Sequence, residues 1–210
     1  MAITLIVVDN QEVVRKGLAS LLAGEDIEIV AEAASGTAAI SKTKKHKPDV
    51  LLMDVLMPEM DGLDALERIR KGSPATKVVM MSAHNNPSYV ARAAALGAEE
   101  FLFKDVPAAA FASAIKRAVR REAPPPDSPL SKVKAKLQVR PDPKADNVPL
   151  TRREYQVLLH LAYGLSNREI AHSLDRSIET VKEHLQNILR KLDMPDRTAA
   201  AVWAMKRGLV

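Results

Sequence analysis

The 210 residues are 47% hydrophobic and contain no cysteine, which excludes wholesale disorder, a disulfide framework and thiolate metal sites, and fits a reducing compartment. The net charge of +5 leans toward the C-terminus: residues 150–210 hold 10 Lys/Arg against 7 Asp/Glu, whereas residues 1–121 hold 16 against 15. That lean is compatible with a polyanionic partner, and the apolar run from Ile3 to Val8, closed by Asp9, is too short for a signal peptide or a membrane span, so a cytoplasmic chain is expected.

Short apolar runs at Leu5–Val8, Ile27–Ala31, Val50–Met53, Val78–Met81 and Phe101–Phe103 read as strands. Amphipathic patterns near Gln11–Ala23, Thr37–Lys45, Leu63–Arg70, Ser88–Leu96 and Ala108–Arg121 read as helices between and after them. Five strands alternating with five helices predict a doubly wound α/β domain with a parallel sheet covered on both faces. Gly62 is expected where a tight turn starts the third helix.

Seven of the 13 prolines fall between Glu122 and Pro149, so residues 122–149 read as a semi-extended linker between domains at 1–121 and 150–210. Ser131–Val139 is the one segment there able to form a short helix or strand. Beyond Pro149 the signals are wholly helical. Thr151 and Glu154, then Ser166 and Glu169, have capping-box spacing, with Gly164 as a stop and Leu165 and Ile170 at staple positions. Asp175-Arg176 marks a tight turn and Ser177 an N-cap. The stripe Val181, Leu185, Ile188, Leu189 and Leu192 then buries one face of a longer helix and leaves a polar, partly basic face outside. A short helix, a tight turn and a longer helix make a helix-turn-helix, whose second helix enters the major groove.

In a parallel sheet, sites gather at the carboxyl ends of the strands. Those ends carry Asp9-Asn10, Asp54, Ser82 and Lys104. Two carboxylates, a hydroxyl and an ammonium at one edge suit phosphoryl transfer onto a carboxylate, with a divalent cation bridging acidic and phosphoryl oxygens. Taken singly each residue has a plainer explanation, such as a turn cap for Asp54 or a solvated surface cation for Lys104; their joint placement decides the matter.

The segments VVDNQEVVRKGL, LLMDVLMPEMDGL, VVMMSAH and ALGAEEFLFKD resemble the signature segments of response-regulator receiver domains. The resemblance implies a flavodoxin-like sheet of order 2-1-3-4-5, Asp54 as phosphoacceptor and a histidine kinase as donor. It implies Mg²⁺ held by Asp9, Asn10, Asp54 and the Leu56 backbone carbonyl, with Ser82 and Lys104 gripping the phosphoryl group. It further implies a small residue, Ala83, that leaves that group accessible, and Phe101 as an aromatic that turns inward on switching; core packing is the alternative for Phe101. The family usually has a second acid where Asn10 stands, so metal binding weaker than usual is expected.

LTRREYQVLLHLAYGLSNREIAHSL and IETVKEHLQNILRKLDMPDRTAAAVWA resemble the LuxR-type DNA-binding domain, and the two halves together resemble the NarL/FixJ class of response regulators. By that resemblance Lys182, Glu183 and Gln186 face bases, Thr180, Arg190 and Lys191 meet phosphates, and His184 is structural or phosphate-facing. Glu183 departs from the apolar residue common there, and Asp175 stands where the family often has glycine. The resemblance implies a homodimer reading an inverted repeat in double-stranded DNA, RNA polymerase as a further partner, and Val202 and Met205 on the last helix as candidate dimer contacts, with core packing the other explanation.

Two rivals are weighed. An atypical receiver with phosphorylation-independent DNA binding rests on Asn10. An aspartate-nucleophile phosphatase would place a second aspartate two residues after the nucleophile, where this chain has Leu56, so no enzyme is expected beyond self-phosphorylation and slow dephosphorylation.

Overall fold

A computed structural model describes residues 2–138 and 148–210. Pro141, Pro143 and Val139 of the expected linker lie outside the described residues. Strands β1 (Ile3–Val8), β2 (Ile27–Ala33), β3 (Val50–Asp54), β4 (Lys77–Ser82) and β5 (Glu100–Phe103) form one parallel sheet of order β2-β1-β3-β4-β5. Helices α1 (Glu12–Leu21), α2 (Gly36–His46), α3 (Gly62–Gly72), α4 (Pro87–Ala95) and α5 (Ala108–Arg120) alternate with them.

Strand side chains alternate between faces, and both faces are apolar. Ile6, Val8, Leu51, Met53, Met80 and Phe101 pack with Ala39 of α2, Leu63 and Leu66 of α3 and Val90 of α4. Leu5, Val7, Leu52, Val79 and Met81 pack instead with Leu18 of α1 and Phe111 and Ile115 of α5. Helix starts follow from short polar caps: Asp61 accepts from the Asp64 amide at 2.7 Å, and Asn86 accepts from the Ser88 amide with Pro87 in the first turn. Gly62 is required for a different reason than a tight turn. A Cβ there would lie 2.0 Å from the Asp54 carbonyl oxygen, so the start of α3 can approach the end of β3 only without a side chain.

The C-terminal half holds α6 (Pro129–Gln138), α7 (Arg152–Ala162), α8 (Asn167–Leu174), α9 (Ile178–Leu192) and α10 (Arg197–Lys206). Helix α6 interrupts the expected semi-extended linker where Ser131–Val139 is open to a short helix or strand, and it starts two residues earlier. Pro129 occupies the first helical position, where its missing N–H costs nothing. Leu130, Val133 and Leu137 then form a stripe at helical spacing; Leu130 enters the core beside Phe101, and Leu137 enters the core of the C-terminal helices.

Both capping boxes form, Gly164 adopts φ +80° and Asp175 adopts φ 51°. Leu165, Ile170, Val181 and Ile188 are buried, while Leu185, Leu189 and Leu192 pack around them. His160 of α7 is fully buried, with Nδ1 2.8 Å from the Gln156 carbonyl and Nε2 2.9 Å from Ser173 Oγ, tying α7 to α8. Among the described residues no helix is long and apolar enough to cross a membrane.

Candidate functional site

The ends of β1, β3 and β5 bring three charged groups together. Lys104 Nζ lies 2.5 Å from Asp9 Oδ2 and 3.0 Å from Asp54 Oδ2. Asp9 is fully buried and Asp54 nearly so. Burial lifts the Asp54 carboxyl above its ordinary range; the Lys104 charge and hydrogen bond oppose that lift, and the neighbouring Asp9 adds to it. The result is a nucleophile candidate held in a low-dielectric pocket beside a cation.

Arg15, which sequence reasoning passed over, completes the wall. Its Nη1 donates to the Asp9 carbonyl at 2.8 Å and its Nε to Glu32 at 3.0 Å, pinning the turn between β1 and α1. It sits within the quoted segment VVDNQEVVRKGL, so position could have flagged it, but its partner Glu32 comes from β2 and carries no local signal.

Asn10 is exposed beside Asp9, and Leu56 is exposed on the loop after Asp54. Among the described residues no group of three or more His, Cys, Asp or Glu is placed to hold a metal. The donor set is therefore two carboxylates with the neutral oxygens of Asn10 and the Leu56 carbonyl beside them. A hard divalent cation needs one or two carboxylates, and an ammonium already seated between these two shows that the pocket stabilises positive charge there.

Ser82 ends β4, and Phe101 lies within β5. The Ser82 hydroxyl is buried and folded back on its own loop, accepting from the His84 amide at 3.0 Å and donating to the His84 carbonyl at 3.2 Å. It does not touch the acidic pair in this arrangement. Phe101 is already inward, fully buried and edge-on to Phe103 with centroids 5.7 Å apart. Strand alternation and the cover of α4 and α6 seat the ring in the core, the inward position that either switching or core packing requires. Ala83 is exposed and adds no bulk at the mouth.

On α9, Lys182, Glu183 and Gln186 are exposed, as a groove-facing row requires. Lys182 pairs with Glu179 at 3.0 Å, and Arg190 donates to Asn187 at 3.0 Å, both in the open. Thr180 is half-buried, its amide and hydroxyl engaged by Ser177. His184 is half-buried. Lys191 Nζ lies 2.7 Å from the buried Glu154 carboxylate and so ties α9 to the capping box of α7, a pair that the expected phosphate contact would have to exchange. On α10, Val202 and Met205 are exposed, while Ala200 and Ala204 supply the core contact and Arg207 stacks over Trp203.

The two halves meet through α4. Arg92 lies 2.6 Å from Glu169 of α8, and 3.7 Å and 3.9 Å from Asp61 and Asp64 at the start of α3. Arg168 of α8 lies 3.6 Å from Glu67 of α3, and His172 bonds to the Ala95 carbonyl. Ala91 and Ala95 join the apolar core of the C-terminal helices. Ile178 and Lys182, at the leading end of α9, line one cleft with Asp64 and Glu67. Arg92 also escaped sequence reasoning, because its partners lie on α3 and α8 and no local spacing reveals them.

Residues 5–116 match the family described as the response regulator receiver domain, and residues 148–204 match the bacterial regulatory proteins of the luxR family. The chain is 39% identical over 211 residues to the response regulator protein VraR of Staphylococcus epidermidis and 38% identical to that of Staphylococcus aureus, with 100% of each chain covered. Among solved structures, the response regulator ChrA of a heme-sensing two-component system is 30% identical, with a TM-score of 0.54 over 100% of this chain and 99% of that one. The receiver domain of the putative response regulator NarL from Mycobacterium tuberculosis is 33% identical, with a TM-score of 0.54 over 56% of this chain and 96% of that one. An RcsB–DNA complex, 23% identical with a TM-score of 0.59 and 98% of each chain covered, shares the fold. These relatives are response regulators rather than enzymes in the usual sense. With a receiver pocket at one sheet edge and a LuxR-type helix-turn-helix packed against it, the chain belongs to the NarL/FixJ class of response regulators.

Proposed function

We propose that this protein is a cytoplasmic transcription regulator switched by phosphoryl transfer from a histidine kinase onto Asp54. The observation that supports this reading most is the single ammonium of Lys104 within 3.0 Å of both the Asp9 and Asp54 carboxylates. An Asp54 oxygen attacks the donor phosphorus, the donor's P–N bond breaks, and an acyl phosphate forms. Asp9, Asp54, the Asn10 side chain and the Leu56 carbonyl would hold Mg²⁺, which when bound offsets phosphoryl charge. Asn10 contributes no charge to that set, so binding is weaker than with a third acid. Lys104 neutralises the transferred group, and Ser82 leaves His84 to donate to it.

The Ser82 loop leads directly into α4, on which α8 rests. A shift there loosens the α4–α8 contact and frees the leading end of α9 from the acidic flank of α3. The units we assign are a receiver at 1–121, a connecting segment at 122–149 and a DNA reader at 150–210. Lys182, Glu183 and Gln186 read bases, while Thr180 and Arg190 meet phosphates. A homodimer, with Val202 and Met205 as contacts, reads an inverted repeat and engages RNA polymerase. The alternative, a receiver used without phosphorylation, has Asn10 as its sole support, and the intact Asp9–Lys104–Asp54 cluster speaks against it.

The test measures binding to a promoter fragment with and without acetyl phosphate and Mg²⁺. The expected result is tighter binding on phosphorylation for the native chain and no response for Asp54→Ala. A full response in Asp54→Ala would end this reading.

A further inference from the structure

A second polar cleft, of about 460 Å³, lies on the other side of the α4–α8 contact. Lys134 of α6, Arg153 and Gln156 of α7 and His172 of α8 line it, with Ala94 and Ala95 at the end of α4 and Gly97 from the turn after it. No carboxylate lines it among the described residues.

Among the described residues neither Lys134 nor Arg153 has a carboxylate within ion-pair distance. Lys134 Nζ is half-buried and donates to the Ala98 carbonyl at 3.2 Å, and no carboxylate among the described residues pairs with it. The nearest acids are already engaged: Glu99 by Lys77 at 3.3 Å and Arg70 at 3.8 Å, and Glu100 by Arg117 at 3.1 Å. Arg153 donates to the neutral Gln156 amide at 2.8 Å, and that amide in turn donates to the Leu137 carbonyl. His172 spends Nδ1 on the Ala95 carbonyl. An unpaired cation removed from water is costly, so such a group is ordinarily matched by a charge of opposite sign.

We propose that this cleft binds a small oxyanion, a phosphate- or carboxylate-bearing molecule, through the Lys134 ammonium and the Arg153 guanidinium. Its volume is in the range of small-molecule sites, and the guanidinium suits planar or tetrahedral oxyanions alike. Burial presses the Lys134 pKa down, and a bound anion would oppose that shift by favouring the ammonium. A ligand there touches α6, α7, α8 and the turn after α4, so it stabilises the arrangement in which the two halves are packed together. The site is separate from the Asp54 pocket and stands independently of the phosphorylation reading.

The experiment is calorimetric titration of the full-length chain, in EDTA, with pyrophosphate and separately with citrate. Saturable binding is expected for at least one, and the tighter of the two tells phosphate from carboxylate chemistry. Lys134→Gln and Arg153→Gln should each weaken binding about tenfold, the loss of one charge-assisted contact. Lys134→Arg, which keeps the charge, should retain binding, separating loss of charge from loss of folding. Absence of saturable binding by both probes, or unchanged affinity in both glutamine variants, would overturn the proposal.

Discussion

Lys104 is the largest influence opposing the effect of burial on Asp54, with the Val55 amide adding to it. Without metal, the Asp54 carboxyl titrates above its ordinary value of 3.8. Replacing Lys104 with glutamine removes both a favourable charge and a hydrogen bond to the carboxylate, so the midpoint must move further up. The attacking species is the carboxylate, so in metal-free protein the reactive fraction falls as pH drops through that midpoint, and in Lys104→Gln the fall begins at higher pH. Carboxyl-carbon NMR titration of metal-free protein measures the midpoint directly; a lower midpoint in the variant than in the native chain would refute the assignment. Ser82 is the counterpart on the neutral side. Its hydroxyl is satisfied by His84 in the present arrangement, so its engagement with a phosphoryl group requires exchanging those bonds.

At the scale of elements, the sequence was most informative where a local rule decides the outcome. The apolar runs of the strands, the capping boxes at Thr151 and Ser166 and the stripe on α9 are all local, and the acidic edge followed from strand ends alone. It was least informative where a partner comes from far along the chain. Proline content leaves α6 undecided between helix and strand, because its helix is stabilised by Leu130 and Leu137 reaching two different cores. Exposure on α9 could not reveal that Lys191 turns back to Glu154. That pair yields a prediction. Burial pushes the Glu154 carboxyl up, but hydrogen bonds from Lys191 and Thr151 prevail and hold it below its usual 4.5. A depressed carboxyl contributes stability above the unfolded pKa and loses it as pH falls through the folded one. Lys191→Met should therefore lower stability by about 1–3 kcal/mol at neutral pH, the cost of an unpaired buried acceptor. The gap between variant and native melting temperatures should close on acidification below 4.5. If Lys191 instead contacts DNA phosphate, the variant would flatten the salt dependence of DNA binding by about 0.9 in log–log slope, the effect assigned here to Arg190→Gln.

Across the whole molecule, one arginine joins the two halves to the pocket. Asp61 caps α3, whose Gly62 amide bonds the Val55 carbonyl just beyond Asp54, and the same Asp61 carboxylate faces Arg92. Arg92 in turn holds Glu169, whose other oxygen accepts from the Ser166 amide at the head of α8. A displacement at Asp54 is thus linked, through the start of α3, Asp61, Arg92 and Glu169, to the cap of a helix in the DNA reader. Exposed ion pairs contribute little, but Glu169 is 5% exposed, and removing Arg92 strands its carboxylate in the packed form only. Separation of the halves returns Glu169 to water, so Arg92→Ala shifts the balance toward the separated form without touching α9. Apparent DNA affinity scales with the fraction of reader free to bind, so unphosphorylated Arg92→Ala should bind DNA about tenfold more tightly than the unphosphorylated native chain. The phosphorylated forms of both should bind alike, because the contact has already been released. Equal affinities for the two unphosphorylated chains in a fluorescence-anisotropy titration would mean that the α4–α8 contact does not restrain the reader, and that control passes through dimer formation instead.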